Sequence, residues 1–170
     1  MKKFKITILA ILFNVLMIKA IEACDLLNIN IGGDKSTINF FGSIEDEDII
    51  DDDITVFVSQ IEPFCTEIDF GDSLLKGYIT RDGKIGAVEI VVQNGMDNEE
   101  SKKGLLMNYA ISKFGDLNIE SEEWNGYKIW NIGSKQIYYY LYERDNEPTQ
   151  EGIAVTNANY YAVLTTNQYE

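Results

Sequence analysis

The 170-residue chain contains no histidine, and this absence removes more chemistry than any residue present supplies. Without imidazole there is no Ser-His-Asp or Cys-His relay to activate a nucleophile, and no histidine-ligated metal. Cys24 and Cys65 lie far apart in the sequence, which makes them a poor metal pair. Gly32-Gly33 stands alone, outside any phosphate-cradling loop. Carboxylates are abundant, with 28 Asp and Glu. A paired-carboxylate glycan hydrolase needs two of them facing each other about 5 to 9.5 Å apart across a groove. Nothing in the spacing positions such a pair. Glu89, between Val88 and Ile90, points away from both and reads as a solvated strand position. Glu122 and Glu123 precede Trp124 in a loop. The acidic run Glu45, Asp46, Glu47, Asp48, Asp51, Asp52 and Asp53 has oxygens enough for Ca²⁺ but lacks the glycine and ligand spacing of an EF-hand. It reads as a solvated loop. No catalytic residue, metal ligand or cofactor is assigned, and a carboxylate-dependent hydrolase ranks below a binding protein.

Aromatic side chains are the more suggestive resource. Trp124, Tyr127, Trp130, Tyr138, Tyr139, Tyr140, Tyr142, Tyr160, Tyr161 and Tyr169 all fall in the second half. Strand alternation puts Tyr138, Tyr140 and Tyr142 on one face, and Ile137, Tyr139 and Leu141 on the other. One helix can cover only one of these faces. The other either packs on the rest of the chain, forms a surface ladder of tyrosines, or serves recognition, because Tyr and Trp bury large areas at low entropic cost. On the recognition reading Trp130, Tyr138, Tyr140 and Tyr142 are the binding anchors. Their partner is a protein or a glycan, and acidic rims favour a basic protein.

The N-terminus bears on where this happens. Lys2, Lys3 and Lys5 precede an apolar run from Ile6 to Ile18, with Ala20 and Ala23 following, in the order of a cleaved signal peptide over residues 1–23. The run is too short to span a bilayer. Two cysteines in an exported chain favour a disulfide between Cys24 and Cys65. The competing reading is acylation of Cys24, since Ile21-Glu22-Ala23-Cys24 looks like a degenerate lipobox. That choice decides between a free periplasmic or secreted domain and one anchored to a membrane by lipid. Signal removal takes Lys2, Lys3, Lys5, Lys19 and Glu22, leaving ten basic and 27 acidic residues and a net charge of −17. Nucleic acid is excluded as a partner, because Arg81 and Arg144 are the only arginines and no basic stripe exists.

Two helices are predicted in the remaining chain, from Lys35 to Phe41 after Asp34, and from Asn98 to Phe114 after Asp97 with Glu100 completing a capping box. Gly42 and Gly115 stop them. Alternating segments predict strands at Ile54–Gln60, Leu74–Arg81, Ile85–Gln93, Gly126–Ile132, Lys135–Arg144, Gly152–Thr156 and Tyr160–Thr165, with a weaker one at Thr66–Phe70. Asp82-Gly83 and Gly133-Ser134 are the hairpin turns. The stop glycines lie 73 residues apart, and that offset superposes Ile38 on Ile111, Phe41 on Phe114, Phe57 on Trp130 and Val88 on Tyr161. The fold expected is therefore α+β: two tandem repeats, 24–96 and 97–170, each one helix plus a roughly four-stranded antiparallel sheet, packed as one unit.

This organisation resembles the tandem helix-plus-sheet modules of the β-lactamase inhibitor protein. The stretch Ile31-Gly32-Gly33-Asp34-Lys35-Ser36-Thr37, ending at Phe41-Gly42, also looks like the opening of the envelope assembly lipoproteins BamE or SmpA. No inhibitory or assembly residue of either family has a match in this chain. The resemblance implies an exported binding protein, with a lipid-anchored envelope assembly factor as the alternative.

Overall fold

The computed structural model describes residues 24–38, 46–51, 53–93, 104–117, 124–143 and 149–165. Over these the chain builds one antiparallel sheet of seven strands: β1 (Asp46–Asp51), β2 (Ile54–Gln60), β3 (Ser73–Thr80), β4 (Ile85–Val92), β5 (Gly126–Ile132), β6 (Lys135–Tyr142) and β7 (Gln150–Thr156). Their spatial order is β1-β2-β3-β4-β7-β6-β5. Two helices accompany the sheet, α1 (Leu105–Phe114) and the short α2 (Tyr161–Thr165), together with 3₁₀ turns at Leu26–Asn28 and Lys35–Thr37.

Turn chemistry sets the register on both sides of the sheet. Gly83 takes φ 77° in the Asp82-Gly83 turn and Gly133 φ 61° in the Gly133-Ser134 turn. Only glycine enters that region without penalty. The second turn pairs Ile132 with Lys135 and carries the register unbroken to Gly126 opposite Leu141. In the first, Tyr78 pairs with Ala87 and Ile79 with Ile85, which leaves Gly86 as the extra residue of a bulge. Its carbonyl accepts the Thr156 hydroxyl at 2.9 Å. A side chain at Gly86 would press on Val163 of α2, within 3.3 Å.

The main core lies on one face of the sheet, beneath α1 and the N-terminal segment, where Leu26, Leu75, Val88, Ile90, Leu106, Tyr139, Ile153 and Val155 are buried together. Cys24 and Cys65 form a disulfide, with Cα atoms 4.6 Å apart. Around it the Cys24 amide donates to the Phe64 carbonyl at 3.1 Å, and the Tyr109 hydroxyl of α1 donates to the Cys24 carbonyl. The start of α1 carries no cap from its own sequence, because Gly104 sits there in the left-handed region. A buried carboxylate from β7 takes the cap's place. Glu151 Oε1 accepts the Met107 amide at 2.9 Å and the Tyr139 hydroxyl at 3.0 Å. Burial pushes the Glu151 pKa up, against the pull of the Tyr139 hydroxyl and the first amides of the helix.

The expected tandem repeat is not formed. The chain makes one continuous sheet, joined across the expected boundary by β4 and β7, and only α1 is a helix of ordinary length. The 73-residue offset fails beyond its first strand because the β2–β3 connection spans residues 61–72 while β5 and β6 are joined by two residues. Lys35–Thr37 is a single 3₁₀ turn. Thr66–Phe70 is not a strand. Tyr161–Thr165 folds as α2, entered through a turn in which Asn157 Oδ1 accepts the Asn159 amide. Part of the acidic run, Asp46–Asp51, is the edge strand β1 and not a loop. The signal segment 1–23, the Asp97/Glu100 capping box, Gly42, Glu122, Glu123, Arg144 and Tyr169 lie outside the described residues.

Two stability outcomes follow. Replacing both cysteines by serine lowers unfolding free energy by about 3 to 4 kcal/mol, since the bridge closes a 41-residue separation. Calorimetry then records a melting point lower by about 10 °C. Glu151→Ala strands the Tyr139 hydroxyl and the first amides of α1, costing about 2 to 4 kcal/mol in urea denaturation. A loss below half of one kcal/mol would show that the carboxylate does not cap the helix.

Candidate functional site

The second face of the sheet carries the tyrosines. Tyr138, Tyr140 and Tyr142 of β6 share it with Tyr78 of β3, Tyr127 of β5 and Tyr161 of α2, as the pairings Tyr138–Ile129, Tyr140–Tyr127 and Tyr138–Ala154 require. The rings form a ladder. Centroids lie 5.6 Å apart for Tyr127–Tyr138, 5.8 Å for Tyr138–Tyr140 and 5.6 Å for the stacked Tyr140–Tyr142 pair. Tyr161 meets Tyr138 edge-on at 6.4 Å. The Tyr138 and Tyr142 hydroxyls lie 3.2 Å apart.

The ladder is fixed through Tyr140 by a buried carboxylate. Glu89 of β4 is only 5% exposed, with Tyr78 donating to one of its oxygens at 2.5 Å and Tyr140 to the other at 3.0 Å. Tyr140 reaches it by lying across β7. That path runs over Gly152, its direct partner in the β6–β7 pairing, where any Cβ would overlap the Tyr140 ring and hydroxyl. Glycine is required here for the close approach. Burial pushes the Glu89 pKa up, against the pull of the Tyr78 hydrogen bond and the charge of Lys76, its cross-strand neighbour. Burial, then the nearby Glu89, holds the Tyr140 phenol well above its ordinary value.

The structure brings Tyr138, Tyr140 and Tyr142 together and separates Trp130 from them. Trp130 pairs with Ile137 on the helix face and packs on Phe114 of α1, with centroids 5.8 Å apart. Tyr138 is 5% and Tyr140 8% exposed, whereas Tyr142 is half-buried. The accessible end of the ladder is Tyr127, at 60% exposure. Sequence reasoning did not select Tyr127, although the two-residue turn at Gly133-Ser134 places it opposite Tyr140. It also read Glu89 as solvated. Glu89 is covered because α2 and Tyr140 lie on this face, burying Val163 and Leu164 against Tyr78, Ala87 and Ala154.

The buried carboxylates do not form a catalytic pair. Glu89 pairs with Ala154 and Glu151 with Val92, so parity puts them on opposite faces of the sheet. A shallow cleft of about 640 Å³ opens beside α2, with Asp53, Arg81, Asp82 and Tyr160 among its lining residues. Its Arg81–Asp53 ion pair, at 3.7 Å, is solvent-exposed. Among the described residues no group of three or more Cys, Asp and Glu side chains could hold a metal ion. The Cys24 sulfur is engaged with Cys65.

The Glu89 arrangement has a testable pH signature. Its folded-state pKa is raised above the ordinary value of 4.5. Its stability contribution is therefore complete below that value and is lost as pH rises through the folded pKa. Glu89→Gln keeps the shape and removes the titration. The variant matches the parent near pH 4.5 and becomes progressively the more stable of the two as pH rises from there to about 8. Paired urea titrations across that range measure the gap, and a gap that stays constant with pH would refute the assignment.

Comparison with protein-family models, with curated proteins and with solved structures finds no match.

Proposed function

We propose that the protein is an exported, non-catalytic binding protein that engages a protein partner through the outer end of its tyrosine ladder. Tyr127 and Tyr142 are the accessible contacts, and Tyr138 and Tyr140 hold them in place. One observation carries this reading: a run of four packed phenol rings, held from within by the bond from Tyr140 to buried Glu89, reaches solvent through Tyr127. Rings locked by packing lose little entropy on binding, which is the property of an effective contact residue.

Charge selects among partners. With 28 acidic and 14 basic residues, the chain attracts a basic protein and repels nucleic acid and anionic surfaces. The Cys24–Cys65 disulfide suits an oxidising compartment outside the cytoplasm. Among the described residues no helix is long and apolar enough to cross a membrane.

Affinity capture from extracytoplasmic extract with the purified protein, and with its Tyr127→Ser variant, tests the proposal. Tyr127 is exposed, so the variant keeps its stability within about 0.5 kcal/mol. Partners recovered by the parent are released by high salt. Their affinity for the variant falls by about tenfold or more. Equal recovery by both proteins would overturn the reading.

A further inference from the structure

The two edges of the sheet are treated differently by the sequence. β1, on one edge, reads Asp-Glu-Asp-Ile-Ile-Asp, and its register breaks between Ile49 and Asp51. Acidic side chains and an irregular register both discourage another strand from pairing. β5, on the other edge, reads Gly-Tyr-Lys-Ile-Trp-Asn-Ile. It contains no proline, its pairing with β6 runs without a shift over all seven residues, and its only charge is Lys128. No strand pairs with its outer side among the described residues. Tyr127, the exposed member of the ladder, stands on this strand.

We propose that β5 is a strand-addition site, and that its occupant is an extended, basic segment of another protein. The outward amides and carbonyls of Gly126–Ile132 supply the main-chain ladder. Alternation then fixes the side-chain chemistry. A residue added opposite Tyr127 projects onto the tyrosine face, with its Cβ about 5 Å away. Lys or Arg there lies over the exposed Tyr127 ring, beside Tyr138 at 5.6 Å. Residues two positions along fall beside Ile129 and Asn131. The occupant therefore carries a basic residue opposite Tyr127 within a run of β-formers. A second copy of this chain is a poor occupant, since its net charge of −14 repels its own kind.

The inference rests on the binding reading above but adds a main-chain requirement, so the two can fail separately. The probe is a short capped peptide alternating Lys and Thr, titrated against the purified protein and followed by amide hydrogen exchange. Expected are protection concentrated in Gly126–Ile132 and a loss of about tenfold when alternate peptide nitrogens on the pairing edge are methylated. Tyr127→Ser weakens binding several-fold while leaving the β5 protection pattern in place. Equal affinity of the methylated and unmethylated peptides would overturn the strand-addition proposal, and retained dependence on Tyr127 would then leave the aromatic contact standing. Equal binding of a Glu/Thr peptide would also overturn it. So would a concentration-dependent dimer in sedimentation that protects the same amides without peptide.

Discussion

Pairing of β4 with β7 is the contact on which the rest depends. It fuses the strands built before and after α1 into one sheet, and it puts both strands where each face is covered. Strands buried on both faces are expected to be apolar throughout, yet each of these carries a glutamate. Both oxygens of Glu89 are held, by Tyr78 and Tyr140, whereas Glu151 takes the Tyr139 hydroxyl and the Met107 amide on Oε1 and leaves Oε2 buried without a hydrogen bond among the described residues. Neighbouring residues of β6 thus serve opposite faces of the same junction. Their burial explains why a segment so rich in tyrosine is largely interior, and why only its far end reaches solvent.

The sheet was legible wherever a short-range rule fixed it. Asp82-Gly83 and Gly133-Ser134 identified two hairpins, and alternation assigned Tyr138, Tyr140 and Tyr142 to one face and Tyr139 to the other. The disulfide followed from a signal-like N-terminus and two cysteines. What was not legible depends on pairing at a distance. β4–β7 joins residues about 60 apart, with no local signal, so Glu89 gave no hint that Tyr140 would reach it. The expected repeat came from matching glycines and apolar positions whose spacing is preserved over one strand only. Tyr161–Thr165 is a short apolar run that suits a strand as well as a helix. It becomes a helix because Val163 and Leu164 bury together against the open face.

The candidate site inherits this division. Three of its tyrosines were grouped from sequence because they share one strand, and two of them, Tyr138 and Tyr140, are buried in the fold. Trp130 was grouped with them on composition, and strand pairing sends it to the opposite face. Tyr127 was overlooked because its importance lies in exposure, which residue type does not encode. The two edges add a further asymmetry: β1 is rich in acidic residues and its register breaks, while β5 keeps an unbroken register beside the most exposed ring among the described residues.

Gly152 shows how tightly such a site constrains its own history. A methyl group at that position displaces Tyr140 from its path over β7. Glu89 is then left with the Tyr78 hydroxyl as its remaining tyrosine partner, in a place where an ionised carboxylate is costly. Drift at any one of these four positions is penalised unless the others change with it. Gly152, Tyr78, Glu89 and Tyr140 are therefore one mechanical unit, in which a change at any member alters what the other three can do.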